Sequence, residues 1–192
     1  MKLFAHLSVL ALATTLASGV LAQDTTTTET EEFPIGTNPE IQVGQTYIKQ
    51  ASGDWNVRCI KVAEGPEPCD IHQILNDPEG NPVAEISVFH LPPGGAAVAG
   101  ATAVTPLGTL LPAQMTFGIG DAQAKQYPFN WCEAIGCIAR LGFTGLELEL
   151  MKKGDKAQMT VFSIQAPNQP ITLTVSLKGF SDGFAQVLVK PN

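Results

Sequence analysis

The 192 residues hold 11 Lys and Arg against 18 Asp and Glu, a formal net charge of −7 at pH 7. That surplus of carboxylates, with no basic cluster larger than Lys152-Lys153, excludes nucleic acid and anionic lipid surfaces as partners, since both are polyanions that attract Lys and Arg. The length suits one domain plus a tail, with a core large enough to stand without dense crosslinking.

Lys2 supplies a positive start, Leu3 to Val20 an apolar run centred on Leu7, Val9, Leu10, Leu12 and Leu16, and Val20-Leu21-Ala22 acceptable peptidase positions. This layout predicts a secretory signal peptide over 1–22. A membrane-spanning helix wants roughly 20 apolar residues, and this run is shorter and interrupted by His6, Thr14, Thr15 and Ser18. Loss of Lys2 on cleavage leaves a mature charge of −8. Residues 23–44 open with QDTTTTETEEFPIGTNPE, an acidic, Thr-rich stretch with little to bury, so the expectation is a disordered arm.

From residue 45 short apolar stretches alternate with Gly, Pro, Asn and Asp. Trp55, Val57 and Cys59 alternate as one face of a strand. Asp70–Leu75 is a second strand, ended by the turn formers of Asn76 to Pro82. Val83–His90 is a third, with Ala84, Ile86, Val88 and His90 on one side. Residues 92–103, PPGGAAVAGATA, have little side-chain volume and read as a mobile loop or a flap over a ligand. Val104–Leu111, Met115–Ile119 and Cys137–Leu141 read as further strands.

Thr144 and Glu147 have capping-box spacing, and Lys152, Lys153 and Gly154 are stop signals, so a short helix is predicted between them. Ala157–Ile164 and Ile171–Leu177 form a hairpin, with Pro167-Asn168-Gln169-Pro170 as its turn. Ser181 is positioned to cap a last short helix through Phe184, Val187 and Leu188. The sum is an all-β sandwich or barrel with one or two short helices near the C-terminus.

Four Cys in an exported chain point to disulfides. Three pairings are open; the Gly- and Pro-rich segment 64–68 and the short segment 133–136 favour Cys59 with Cys69 and Cys132 with Cys137, while strands distant in sequence can also lie side by side. The order and spacing of Trp55-x-Val57-x-Cys59, Cys69, Pro106-Leu107-Gly108, Pro128-Phe129, Cys132, Gly136-Cys137 and Ser176-Leu177-Lys178-Gly179-Phe180 resemble the invasion-associated locus B family over about residues 45–190. The resemblance implies an exported alphaproteobacterial protein, periplasmic or envelope-associated, with an immunoglobulin-like β-sandwich over 45–192 and no established catalytic residues. The family name refers to host-cell entry, which is not by itself an activity.

His72 and His90 are the histidines that remain after export, and they are not spaced as metal ligands. A zinc site from both with Cys132 and Cys137 competes poorly with disulfide formation. Asp70 and His72 share a face if their segment is a strand, which suggests acid–base chemistry, but no G-x-S-x-G elbow accompanies them. Trp131 either packs on the Cys132 disulfide, the favoured reading, or stands out as an aromatic anchor. The expectation is a binding or interaction module without catalysis or cofactor, recognising a protein or envelope component through the surface near Trp131 and the loop holding Pro93, Gly94 and Gly95. An envelope hydrolase using His72 or His90, and a folding helper for exported proteins, are the alternatives.

Overall fold

The computed structural model describes residues 34–187, so the expected signal peptide and the first half of the acidic arm, 23–33, lie outside the described residues. The chain divides into two compact units, Met1–Asn38 and Pro39–Asn192; of the first, residues 34–38 are exposed and without regular structure. Among the described residues no helix is long and apolar enough to cross a membrane.

The second unit is mostly β. Its strands are β1 (Thr46–Ser52), β2 (Trp55–Ile60), β3 (Cys69–Asn76), β4 (Pro82–His90), β5 (Ala99–Thr105), β6 (Met115–Ile119), β7 (Lys125–Tyr127), β8 (Phe129–Glu133), β9 (Gly136–Phe143), β10 (Lys156–Ser163) and β11 (Ala166–Ser176). Helix α1 covers Gly145–Lys153 and α2 covers Phe180–Phe184. A seven-stranded sheet runs β1-β2-β3-β4-β5-β9-β8, a four-stranded sheet runs β11-β10-β6-β7, and every pairing is antiparallel. The two-sheet expectation holds. The first five strands form a meander of consecutive neighbours, whereas an immunoglobulin domain is wired by Greek-key connections.

Alternation builds the core. Trp55, Val57 and Cys59 of β2, Ile71 and Leu75 of β3, and Ala84, Ile86 and Val88 of β4 point inward and are buried. They join Met115 and Phe117 of β6, Met159 and Val161 of β10, and Leu173 and Val175 of β11 in one apolar cluster between the sheets. The Trp55 indole N–H donates to the Ser176 carbonyl at 2.8 Å, and Gln73 Nε2 donates to the same oxygen at 3.1 Å. These bonds tie β2 and β3 to the end of β11.

Five sequence expectations are corrected. Ser181 does not cap the last helix: it lies inside α2, whose N-cap is Gly179 with no side-chain bond and which ends at Phe184. The small-residue segment is only partly a loop: Ala99–Thr105 is β5, paired on both sides, with Ala99, Ala101 and Ala103 buried. Small side chains suit a strand there, because Gly100 lies under the Phe89 ring, whose nearest carbon would stand 2.9 Å from an added Cβ. The strand expected over Val104–Leu111 stops at Thr105, since Pro106 has no N–H for a ladder and Thr109 folds back to donate to the Pro106 carbonyl. The hairpin turns at Ile164 and Gln165, with Ser163 paired to Ala166; Pro167 to Pro170 lie inside β11, tolerated because β11 is an edge strand. Strands β1, β7 and β8 carry no clear alternation in sequence and were not expected. The helix over Gly145–Lys153 forms as predicted, with both halves of its capping box made.

Candidate functional site: a diagonal groove on the outer sheet face

The outward residues of the larger sheet fall into register rows. Thr46 faces Ile60, Arg58 faces Asp70, His72 faces Ser87, Ser87 faces Thr102, Thr102 faces Arg140, Val104 faces Ile138, and Ile138 faces Trp131. One groove of about 570 Å³ is lined from every strand of this sheet. Its lining steps two residues along the strands as it crosses them, from Thr46 and Ile60 through Arg58 and Asp70, then Ser87 and Thr102, then Val104 and Ile138, to Trp131, Glu133 and Ile135. The cause is twist. A twisted sheet is saddle-shaped, so one diagonal of each face is hollow.

The polar side chains are largely interlocked. Arg58 holds Asp70 through two bonds, Nε to Oδ1 at 3.0 Å and Nη2 to Oδ2 at 2.8 Å, and its Nη2 donates to Ser87 Oγ at 2.7 Å. His72 sits beside Glu85, with Nε2 and Oε2 3.0 Å apart. Outside the groove lining, Tyr47 of β1 packs against the core and donates its hydroxyl to Glu67, which also meets Lys61 Nζ at 3.1 Å. The Tyr47 hydrogen bond, aided by Lys61, holds the Glu67 carboxyl below its ordinary range and pushes the Tyr47 hydroxyl up. At the β8–β9 end of the groove the Arg140 guanidinium lies 4.9 Å from the Trp131 ring centre, and Trp131 Nε1 donates to Glu133 at 3.4 Å. Arg140 makes no salt bridge among the described residues.

The expected site residues separate. The cysteines form Cys59–Cys69 and Cys132–Cys137, the locally favoured pairing, and each bridge joins residues directly opposite in register. Trp131 is 41% exposed in the groove wall, which corrects the favoured expectation of a residue buried by packing. Pro93, Gly94 and Gly95 are exposed in the β4–β5 connection and do not line the groove. His90 touches the groove lining, but its ring lies tilted at 33° to Phe184 with centroids 4.0 Å apart and Nε2 at 3.3 Å from the Phe184 carbonyl, as expected of a satisfied strand histidine. Asp70 and His72 do share the outer face, but Asp70 pairs with Arg58 and His72 with Glu85. Sequence reading missed Arg58, Ser87, Thr102 and Arg140. Their spacing in sequence says nothing; only the register of five strands aligns them.

Fold and groove together define a disulfide-braced, two-sheet β domain of the kind made in an oxidising compartment outside the cytoplasm. The chain belongs to the invasion associated locus B (IalB) protein family, whose model matches residues 55–188. Invasion protein B homologues from two strains of Brucella abortus are each 25% identical over 138 residues, spanning 71% of this chain and 77% of theirs. The crystal structure of invasion associated protein B from Bartonella henselae superposes with a TM-score of 0.60 at 20% identity, covering 72% of this chain and 92% of that one, a likeness of fold.

Proposed function

We propose that this protein is an exported, non-enzymatic module of the periplasm or cell envelope, and that it binds a partner in the diagonal groove. The observation that carries this reading is the groove itself: lined from every strand of the larger sheet, with an exposed Trp131 at one end and, over its ring, an Arg140 that makes no salt bridge among the described residues. Exposed aromatic and Arg side chains in a concavity are the usual anchors of recognition. The names of the relatives connect them with invasion, and for this chain a role at the envelope during contact with a host follows by kinship. The hydrolase alternative has less support, because the Ser87 oxygen is held by Arg58 and the His72 Nε2 is engaged by Glu85, which leaves no prepared nucleophile–base pair there.

A photocrosslinking residue at Ile135 or Ile60, both exposed and groove-lining, tests the reading in exporting cells. We expect a discrete adduct from these positions and none from Leu146, exposed on α1 away from the groove. Identical patterns from all three positions, or no adduct at any, would overturn it.

A further inference from the structure

We infer that the groove takes an extended, uncharged oligosaccharide; this rests on the groove being the binding site. Three observations point to that chemistry. The first is charge balance. The lining charges are Arg58 and Arg140 against Asp70, Glu85 and Glu133, with Arg58 and Asp70 joined to each other and Glu85 beside His72. Such a mixture repels a polyanion and a polycation alike in part, and offers donors and acceptors to a ligand whose every hydroxyl both gives and receives a hydrogen bond.

The second is the kind of surface. The groove crosses the face of the sheet and reaches the edge strands β1 and β8 only at its two ends. The backbone N–H and C=O groups beneath it are spent in the ladders on both sides of β2, β3, β4, β5 and β9. An extended peptide ordinarily gains affinity by main-chain bonds to a free strand edge, and here it would have to satisfy its own backbone from side chains alone. A glycan has no such backbone. It needs planar polar side chains and an apolar platform, which Arg58, Glu85, Arg140 and Trp131 supply.

The third is extent. Seven strands at about 4.8 Å spacing carry the diagonal across up to roughly 30 Å of sheet, with Ile60 at one end and Trp131 and Ile135 at the other. A chain of several sugar rings fits a continuous lining of that kind better than a single compact ligand does. Trp131, with Arg140 against its ring, is the platform for the C–H face of one ring.

The experiment titrates the mature protein with hexamers of β-1,4-linked N-acetylglucosamine and of β-1,4-linked glucose, beside an anionic hexagalacturonate and a cationic glucosamine hexamer. Binding is read by calorimetry and by tryptophan fluorescence. Trp55 is buried in the core, so the response belongs to Trp131 and disappears in Trp131→Phe while heat of binding remains. We expect saturable binding of at least one neutral hexamer, weakened about tenfold or more by Trp131→Ala and unchanged by Leu146→Ser. A circular-dichroism melt confirms that each variant folds. Binding of the charged hexamers alone, or of none, overturns the inference. In the last case a protein adduct from Ile135 and Ile60 in the crosslinking experiment keeps the groove as a binding site and assigns it to a polypeptide; no adduct removes both readings.

Discussion

Gly179 stands at φ +81°, and a Cβ built on it would lie 2.1 Å from the Ser52 carbonyl oxygen. The partner across that contact, Gly53, is as crowded, with its own added Cβ 2.4 Å from the Lys178 carbonyl oxygen. The close approach lets Ser52 Oγ donate to the Gly179 carbonyl at 2.9 Å and the Asp54 amide to the Lys178 carbonyl at 3.0 Å, which locks the β1–β2 turn onto the entry to α2. Backbone atoms cannot swing aside as a side chain can, so Gly179→Ala is expected to cost on the order of 3 kcal/mol or more. Gly80, at φ +88° with open space around it, is the comparison: Gly80→Ala carries the conformational strain alone and costs about 1 kcal/mol. Urea midpoints of the two variants check this, and equal losses would show that the crowding is relieved elsewhere. The motif Ser176–Phe180 was legible as a pattern, and its reason is this seam. Trp55 reaches the Ser176 carbonyl, and the Phe180 ring meets Trp55 edge-on at 5.4 Å.

Helix α1 shows how far local chemistry carries prediction at the scale of one element. Thr144 Oγ1 accepts from the Glu147 amide at 3.4 Å, and the Glu147 carboxylate accepts from the Thr144 amide at 2.9 Å. Both groups lie within one turn, so the spacing alone announced them, and Thr144→Ala is expected to destabilise the domain by about 1 kcal/mol in denaturant unfolding. Not legible was the third arm, Lys125 of β7 at 2.7 Å from Glu147, which pins the helix start to the smaller sheet. Burial, the largest single influence, raises the Glu147 pKa, but the Lys125 and Thr144 bonds together outweigh it and leave the carboxyl below its ordinary value of 4.5. A carboxyl depressed in the folded state contributes stability that is present above its unfolded value and is lost as pH falls through the folded one. The stability gap between the parent protein and Glu147→Gln is therefore expected to be constant above pH 4.5 and to close below it; a gap that widens on acidification would refute the assignment. Strand β5 marks the opposite limit. Its inward residues Ala99, Ala101 and Ala103 alternate correctly, but with methyl groups for side chains they give no apolar signal distinct from a flexible loop. What makes them a strand is the ladder on either side, which belongs to β4 and β9.

Over the whole molecule the two disulfides do different work, although both bridge residues facing each other on adjacent strands. Cys59–Cys69 spans a separation of 10 between β2 and β3, inside the larger sheet, and Cys59 is buried in the core. Cys132–Cys137 spans a separation of 5 and fastens β8, an outermost strand, whose only neighbour among the described residues is β9. Chain-entropy reasoning gives both bridges similar values, ~2–3 kcal/mol, so it does not separate them. Position in the sheet does. Without the second bridge, β8 keeps an interrupted register to β9, with a shift between Phe129 and Trp131, and β8 carries Trp131, the aromatic wall of the groove. An edge strand held by so few pairings opens locally at a lower free energy than the sheet interior. Cys132→Ser with Cys137→Ser is thus expected to speed amide exchange over 129–133 and to make the Trp131 emission more solvent-like, while amides of β3 and β4 stay protected. Removing Cys59 and Cys69 together leaves a gap in the core and is expected to lower protection throughout the larger sheet. Hydrogen-exchange mass spectrometry of the two double variants decides between this division of labour and a simple pair of equivalent staples. Uniform loss of protection in both would mean that the groove wall has no stability of its own apart from the domain that bears it.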